Sequence, residues 1–319
     1  MNIIYLKYAV EVAKTCSISK AAENLYMGQP NLSRAIRELE ESLGLTIFVR
    51  SPHGVKTTPE GEEFLSYAKN ILRQIDEVEA VYTQGKKHRK TFSVSVPRSS
   101  YISYAFSEFA SKLTEVSPVD LFYKETNAQR AINNVIDGGY NLGIIRFQTG
   151  YEQYFEQLLR EKELNSELIS EFSYFLLMSE EHPLAGKENI SYDDLSHYTE
   201  IAHADPYVPS ISMATVRKEE LPDITERRIF VFERASQFDL LSKVPETFMW
   251  VSPVPQHLLN QYGLVQKTCP SGQKVYKDVL IHRQGYRLTE NDEKFVSAVC
   301  RMRDTVMTFG NKTSKDISI

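Results

Sequence analysis

Apolar residues recur every three or four positions in residues 3–14 and again in residues 29–43, and this spacing predicts two amphipathic helices. Between them, two adjacent alanines lie in a shorter predicted helix that Ser17 or Ser19 can cap. Gly28 can adopt the positive φ of a tight turn before the third helix begins. The pattern therefore predicts three short helices packed around one small core.

The third predicted helix has two contrasting faces. Its buried stripe comprises Leu32, Ile36, Leu39 and Leu43. The polar face and N-terminal end carry Gln29, Pro30, Asn31, Ser33, Arg34 and Arg37, with Ser17 and Ser19 nearby in the chain. Such side chains hydrogen-bond base edges and phosphates. A solvated face is the alternative for any single residue, but the combination with a short helix and a glycine turn favours a DNA-reading helix-turn-helix.

A strand-like alternation follows the third helix. Residues 45–50 and 55–57 are β-prone and enclose a Ser-Pro-His-Gly turn, which predicts a small hairpin. Arg50, His53 and Lys56 of this hairpin are candidate contacts to the DNA backbone. The N-terminal region is thus predicted to be a winged helix-turn-helix.

Four motifs follow one another in this region: the paired alanines, Gln-Pro-x-Leu-Ser-Arg-x-Ile-x-x-Leu-Glu, Leu-Gly-x-x-x-Phe-x-Arg and Thr-Pro-x-Gly. They span about forty residues and resemble the DNA-binding domain of LysR-type transcriptional regulators. One departure is Cys16, which stands where that family often has a glycine. The resemblance implies that residues 1–58 bind double-stranded DNA sequence-specifically, in a transcription regulator rather than an enzyme.

A long helix is predicted after Thr58, which can cap it before Pro59. Its apolar positions repeat at heptad spacing and comprise Phe64, Ala68, Ile71, Ile75, Val78 and Tyr82. This seam can pack against the chain's own body or pair with a second copy. The length of the helix favours pairing, and the LysR-type resemblance implies the same. Residues 59–90 are therefore assigned to a linker and dimerisation helix with a basic hinge, in a homodimer or homotetramer.

Strand-like and helix-like segments alternate after residue 91. Strands are predicted at residues 92–96, 119–123, 141–145, 171–178, 199–202, 229–232, 248–251 and 279–282, and helices at residues 102–116, 128–137 and 289–307. The initial βαβαβ order predicts a parallel sheet. The resemblance implies a periplasmic-binding-protein-like body of two α/β subdomains, with residues 91–164 and 269–319 in regulatory subdomain I and residues 165–268 in subdomain II. The predicted fold class is α/β, behind a mainly helical head and a linker helix.

A ligand of such a body lies in the crevice at the carboxyl ends of the strands. The candidate effector-binding residues there are Arg98, Ser99, Ser100, Tyr101, Thr126, Arg146, Phe147 and His203. Arginines and a helix start favour an anion, so we expect a small anionic effector such as a carboxylate, with an aromatic or apolar part. Each serine can instead be a plain cap and Arg146 an internal salt bridge. A body that recognises a protein partner, or no ligand at all, is the alternative.

Charge is unevenly distributed along the 319 residues. Residues 1–90 carry 13 Lys and Arg against 11 Asp and Glu, a net charge of +2, whereas the remaining residues carry 24 against 31, a net charge of −7. A mildly basic N-terminal region joined to an acidic remainder suits a nucleic-acid-binding module fused to another domain.

Other classes of protein lack support in the sequence. The three cysteines have no metal-ligand or redox spacing, the seven histidines are scattered, and no phosphate loop or nucleophile elbow occurs, so we expect no catalysis, metal or cofactor. Neither a signal-peptide core nor the ~20 apolar residues of a membrane helix is found, which excludes an exported solute-binding protein and a membrane role. We expect a cytoplasmic protein.

The LysR-type resemblance implies that effector binding alters DNA bending and access for RNA polymerase.

Overall fold

The computed structural model describes residues 2–51, 54–83, 90–115, 118–137, 139–204, 225–270 and 274–312. Within these ranges, the structure does not describe the side chains of residues 50–51, 70, 73, 76–83, 90 and 308–312. The chain divides into two compact units, one formed by Met1–His88 with Ile136–Gly138 and the other by Arg89–Val135 with Gly139–Ile319. We refer to residues 1–88 as the head and to residues 89–319 as the body.

The described part of the head consists of helices around one core, with a two-stranded antiparallel hairpin. Its elements are α1 (Ile3–Thr15), α2 (Ile18–Asn24), α3 (Gln29–Leu43), β1 (Phe48–Ser51), β2 (Gly54–Thr57) and α4 (Pro59–Thr83). Its most deeply buried side chains include Leu6, Ala9, Val12, Ala21, Leu32, Leu39 and Ile47. The predicted helix-turn-helix with a hairpin is confirmed.

Local sequence signals set the ends of these helices. The Ser17 hydroxyl accepts a hydrogen bond from the Lys20 amide at 3.3 Å and caps α2. Gly44 ends α3 at a φ of 68°, in the left-handed region that glycine tolerates best. The Thr58 hydroxyl accepts a hydrogen bond from the Gly61 amide at 2.9 Å and so caps α4.

Gly61 is also required by a close backbone approach. A Cβ at this position would lie 2.9 Å from the Ile47 Cα atom and nearer still to the Ile47 carbonyl oxygen. The Thr58 hydroxyl donates to the Thr46 carbonyl at 2.6 Å, so the first turn of α4 is held against the segment that precedes the hairpin. These contacts give the Thr-Pro-x-Gly motif a structural reason.

The first turns of α4 pack on the head itself. Leu65 and Ala68 are 4% and 1% exposed within the head core, and Phe64 and Ile71 are half-buried against that core. We therefore correct the predicted dimer seam at Ala68, because a side chain buried on α1 cannot also contact a second copy. The side chains of Val78 and Tyr82 lie outside the described residues.

The described part of the body contains two five-stranded sheets. Its strands are β3 (Lys90–Val96), β4 (Val119–Glu125), β5 (Leu142–Gln148), β6 (Leu164–Ser173), β7 (Phe175–Ser179), β8 (Thr199–His203), β9 (Arg227–Val231), β10 (Thr247–Val251), β11 (Leu264–Lys267) and β12 (Val275–Arg283). Its described helices are α5 (Ser100–Thr114), α6 (Ala128–Ile136), α7 (Glu152–Glu161), α8 (Tyr192–Leu195), α9 (Ala235–Lys243), α10 (Gln256–Tyr262) and α11 (Glu290–Lys312), with a 3-10 turn at Thr149–Tyr151.

Both sheets mix parallel and antiparallel pairs. The first has the strand order β4-β3-β5-β12-β6, and β3 is parallel to both β4 and β5, whereas β12 is antiparallel to β5 and β6. The second has the order β11-β7-β10-β8-β9, with β8 parallel to β9 and β10, and β7 antiparallel to β10 and β11. We refer to these sheets with their helices as subdomains I and II. The α/β fold class is confirmed, and the parallel prediction holds for the βαβαβ part.

The predicted boundary between residues 164 and 165 is wrong, because β6 belongs entirely to subdomain I. Leu164 pairs with Arg283 at one end of β6, and Ser173 pairs with Val275 at the other. The chain first passes to subdomain II after Ser173, and the single strand predicted at residues 171–178 is two strands in different sheets.

Strand β7 shows why its sequence is continuously apolar. Leu177 packs on one face of subdomain II with Ile201 and Met249, and Leu176 packs on the other face with Phe248. Because successive side chains of a strand point to opposite faces, a strand covered on both faces needs apolar residues throughout.

Among the helices of the described residues, none has the length and apolar character needed to cross a bilayer.

Candidate functional site

Helix α3 presents a polar face on the head. Leu32, Ala35, Ile36 and Leu39 are buried on its inner side. Of the residues predicted to contact DNA, Gln29, Pro30, Asn31, Arg34 and Arg37 are exposed and Ser33 is half-buried. On α2, Ser19 is exposed, whereas half-buried Ser17 uses its hydroxyl as the helix cap. One helix thus combines a buried stripe with an accessible set of hydrogen-bonding side chains.

Two acidic residues fix α3 relative to its surroundings. The Glu40 carboxylate accepts hydrogen bonds from the amides of Ile47 and Phe48 at 2.7 and 2.9 Å, which ties α3 to the start of the hairpin. The Tyr5 hydroxyl donates to Glu38 at 2.8 Å, and this hydrogen bond raises the pKa of Tyr5. The polar face is therefore held by contacts on both sides of the helix.

The hairpin is anchored to the end of α1. The Val55 amide donates to the Cys16 carbonyl at 2.9 Å, and a Cβ on Gly54 would lie 2.7 Å from that same oxygen. Cys16 itself has a φ of 52°, which explains why a glycine suits this position. Lys56 is exposed on β2. Of the other predicted wing contacts, the Arg50 side chain and all of His53 lie outside the described residues.

A cavity of about 150 Å³ lies in the body at the carboxyl ends of its strands. It is lined by Pro97, Arg98, Thr126, Asn127, Ala128, Arg146, Phe147, Gln148, Tyr151, Phe155, Tyr174, His203 and Tyr276. Five of the predicted effector-binding residues are in this set: Arg98, Thr126, Arg146, Phe147 and His203. None of these lining residues is acidic, so the charged side chains that line the cavity, Arg98 and Arg146, are cationic.

Three predicted effector contacts are corrected, because they do not line this cavity. Ser99 and Ser100 are buried, and the Ser99 hydroxyl lies 3.1 Å from the Ser252 hydroxyl of subdomain II. Tyr101 is fully buried, and its hydroxyl donates to the Asp278 carboxylate at 2.6 Å. Burial and this carboxylate raise the pKa of Tyr101 well above its usual value. Tyr101 is thus linked to the cavity wall through Asp278, which also pairs with the lining residue Arg146.

Arg146 is already paired inside subdomain I. Its Nε and Nη2 atoms donate to the two Asp278 oxygens, each at 2.7 Å, and the two side chains are 9% and 0% exposed. Burial disfavours the charged guanidinium, but the Asp278 carboxylate outweighs it, so the pKa of Arg146 is raised. Its Nη1 atom donates over 3.4 Å to the Arg98 carbonyl, and the guanidinium lies 4.9 Å from the Phe172 ring centre. The internal salt bridge considered from the sequence is present.

Aromatic side chains that the sequence reasoning did not single out form much of the cavity wall. Phe155 stacks on Phe147 with ring centres 4.4 Å apart, and Tyr174 stacks on Tyr276 at 4.1 Å. Tyr151 completes this aromatic set. They come from α7 (Phe155), the 3-10 turn (Tyr151), the crossover (Tyr174) and β12 (Tyr276), so no local motif unites them. The one signal in the sequence was Asp278, a charged residue inside the apolar strand β12, and it indicates the buried pair with Arg146 rather than the aromatic residues.

Polar contacts also join the two subdomains beside the cavity. Arg234, just before α9, donates to Glu125 at the end of β4 and to Ser103 on α5, each over 2.7 Å. The rings of Tyr104 and His257 approach to 4.0 Å between centres. The N-terminal half of α5 therefore contacts Arg234 and His257 of subdomain II.

His182 is a buried histidine in the turn after β7. Its Nδ1 atom accepts a hydrogen bond from the Leu184 amide at 3.1 Å, and its ring lies 4.5 Å from that of Tyr198. Burial lowers its pKa, against a smaller opposite effect of Glu246. The neutral ring is thus part of the turn. In the described residues, no group of three or more His, Cys, Asp or Glu side chains is arranged to hold a metal ion.

Residues 4–62 match the family described as bacterial regulatory helix-turn-helix protein, lysR family. The chain is 45% identical over 78 residues to the uncharacterized HTH-type transcriptional regulator YcgK of Bacillus subtilis, which covers 24% of either protein. It is 26% identical over 217 residues to the HTH-type transcriptional regulator AlsR of Bacillus subtilis, which covers 67% of this chain and 68% of AlsR. The match to YcgK therefore spans about a quarter of that relative.

Solved structures extend the likeness to 95% of this chain. Full-length CbnR in complex with its target DNA has a TM-score of 0.56 at 17% identity and covers 95% of this chain and 100% of CbnR. LysG of Corynebacterium glutamicum with bound effector Arg has a TM-score of 0.59 at 11% identity and covers 95% of this chain and 98% of LysG. At these identities the likeness concerns the fold. The matched relatives are named as transcriptional regulators, and residues 4–62 of this chain form a helix-turn-helix domain of the lysR family.

Proposed function

We propose that this chain is a sequence-specific transcription regulator that inserts α3 into the major groove of double-stranded DNA. The observation that carries the proposal is the pairing of a buried stripe with an exposed Gln, Asn and Arg face on α3, within the segment that matches the lysR helix-turn-helix family. Lys56 and Arg50 of the wing would contact phosphates. Because residues 1–90 carry a net charge of only +2, specific contacts must supply much of the affinity.

Selection of bound sequences from a random DNA library tests this proposal. The wild type should enrich a near-palindromic site, and Arg34→Ala should lose about 1–3 kcal/mol of discrimination at one base position if Arg34 contacts a base. Arg287→Ala, which removes an exposed arginine from the body, is the matched control and should bind like the wild type. A uniform loss over all sequences would assign Arg34 to a phosphate instead, and no enrichment by the wild type would refute the proposal.

The proposed regulator is a homodimer or a homotetramer built on α4. This helix has 25 residues, about 38 Å at the α-helical rise, and its seam continues at half-buried Ile75 beyond the residues that pack on the head. A dimer would place two heads on two half-sites. Ile75→Asp should convert the dimer to monomers in sedimentation velocity, whereas Gln74→Asp adds the same charge at an exposed position of the same helix and should not. An Ile75→Asp dimer as tight as the wild type would contradict the seam.

The proposed signal is a small anionic effector with an aromatic or apolar part, bound in the cavity of the body. The Arg98 guanidinium favours an anion in a cavity without acidic lining residues, whereas Asp278 already neutralises Arg146. The stacked aromatic pairs favour a flat apolar part. The LysG structure, whose fold is similar, contains an effector. The volume of about 150 Å³ favours a compact molecule.

Calorimetric titration with a panel of small organic acids tests the effector proposal. At least one acid should bind, and Arg98→Gln should weaken it about 10- to 100-fold, because a hydrogen bond to a charged group contributes about 1.5–3 kcal/mol. Arg287→Gln is the control. Binding that is unchanged by Arg98→Gln, or no binding by any acid, would count against an anion in this cavity.

Regulation would then follow from subdomain geometry. An effector bound between the subdomains would change the contacts that Arg234 makes with Glu125 and with Ser103 of α5. In a dimer or tetramer, this movement of the bodies would alter the spacing of the two heads and therefore the bending of DNA. We propose that RNA polymerase is the downstream partner and that the protein acts in the cytoplasm, where its DNA lies. A DNA footprint that no bound effector alters would contradict this mechanism.

A further inference from the structure

Tyr26 is fully solvent-exposed in the turn between α2 and α3. Its side chain is 98% exposed, the highest value among the large apolar and aromatic residues that the structure describes as exposed. Only Met27 and Gly28 separate it from Gln29, the first residue of α3. Its aromatic ring therefore gains nothing from burial within the described chain.

The backbone at Tyr26 is also unfavourable for a tyrosine. The Tyr26 amide donates to the Glu23 carbonyl at 3.1 Å and the Met27 amide to the Ala22 carbonyl at 3.0 Å, which is the hydrogen-bond pattern of a helix ended by a left-handed residue. Tyr26 occupies that left-handed position with a φ of 52°. Glycine is the usual residue there, because any Cβ is strained at such an angle.

Strain without burial indicates a role outside the folded chain, since strained residues cluster at functional sites. Three other described residues that are not glycine have positive φ: Cys16, Glu163 and Glu246. None of them is aromatic, and Tyr26 alone of the four adjoins the exposed N-terminal end of α3. A phenol at this end of a reading helix suits a phosphate oxygen, which accepts hydrogen bonds from tyrosine hydroxyls in DNA complexes.

Resting on the proposed DNA-binding function, we propose that Tyr26 is a further DNA contact whose hydroxyl donates to a backbone phosphate beside the bases read by α3. Because the contact is neutral, it releases no counterion. It positions the head rather than reading sequence. Tyr26 thus gives affinity that salt does not weaken, unlike the lysine and arginine contacts.

The test compares the full-length wild type, Tyr26→Gly, Tyr26→Phe and Glu163→Gly by fluorescence anisotropy. The probes are a duplex selected by the wild type from a random library and an unselected duplex of equal length. Tyr26→Gly and Tyr26→Phe should each bind both duplexes about 10-fold more weakly, with the salt dependence of the binding constant unchanged. Glu163→Gly, which relieves the same backbone angle in the body, should bind DNA like the wild type.

Thermal unfolding separates binding from stability. Tyr26→Gly should melt no lower than the wild type, because glycine relieves the left-handed strain. Unchanged DNA binding by Tyr26→Gly, or a Tyr26→Phe variant as tight as the wild type, would overturn the proposed phosphate contact. A loss that coincides with dissociation of the dimer in sedimentation would overturn it too, in favour of a protein contact. If the wild type selects no DNA, the proposed function fails first.

Discussion

Replacing Asp278 with Asn removes the negative charge that holds Arg146 in subdomain I. Both guanidinium hydrogen bonds to this carboxylate are 2.7 Å long, and the Asp278 side chain is fully buried. The variant keeps nearly the same shape and one acceptor oxygen for the Tyr101 hydroxyl. Arg146 cannot escape by losing its proton, because arginine stays protonated throughout the accessible pH range.

The expected cost is large because one buried charge stays behind. Removing one partner of a buried ion pair destabilises a protein by about 3–5 kcal/mol. The remaining acceptor oxygen and the 9% exposure of the Arg146 side chain favour the lower end, about 3 kcal/mol. For a domain of about 150–250 residues, each kcal/mol lowers the unfolding midpoint by about 2–4 °C, so the body should melt roughly 6–12 °C lower.

Differential scanning calorimetry of the full-length chain measures this shift. The double variant Arg146→Met with Asp278→Asn should recover much of the lost stability, since no uncompensated charge remains. Glu156→Gln, which breaks an exposed pair with Arg160, should stay within about 0.5 kcal/mol of the wild type. An Asp278→Asn body that loses less than about 1 kcal/mol, or a double variant no more stable than the single one, would refute the reasoning.

Three further outcomes follow from the described contacts. Gly61→Ala should destabilise the head by about 1–3 kcal/mol or more, because backbone atoms fill the space of a Cβ, whereas Gly150→Ala meets no atom within 4 Å and serves as the control in thermal melts. Because the pKa of His182 is lowered by folding, the unfolded chain binds more protons than the folded chain below about pH 6.5. The wild type should therefore lose thermal stability from pH 6.5 towards pH 5 more steeply than His182→Gln. Parallel pH profiles of the two proteins would contradict this. Cys16→Gly should leave the head as stable as the wild type or up to about 1 kcal/mol more stable in urea unfolding, and a clear loss would show that the thiol, rather than the backbone angle, matters.

The head could be predicted from sequence because its signals are local. The helical spacing from Leu32 to Leu43, the Ser17 cap and the glycine after α3 each act within a few residues. The error at Ala68 arose at a longer range. A heptad pattern has the same spacing whether it faces α1 of its own head or a second copy, so periodicity alone cannot choose between them.

The body was predicted less well because its decisive partners are far apart in the chain. Asp278 meets Arg146 and Tyr101 across more than a hundred residues, and no spacing rule connects them. Similarly, the apolar run at residues 171–178 has no internal mark of the crossover at Tyr174. The cavity was located by topology, since ligands bind at the carboxyl ends of the strands, but its aromatic wall required the tertiary structure.

The strand order of subdomain I has a consequence for biosynthesis. Because β12 lies between β5 and β6, this sheet stays in two separate pieces until residues 275–283 leave the ribosome. The head, by contrast, is complete some two hundred residues earlier and can fold while translation continues. A nascent or truncated chain that ends before β12 therefore exposes two unpaired strand edges, a known route to aggregation. A premature stop late in the gene would produce an aggregating chain with a folded head, rather than a regulator that is merely insensitive to its signal.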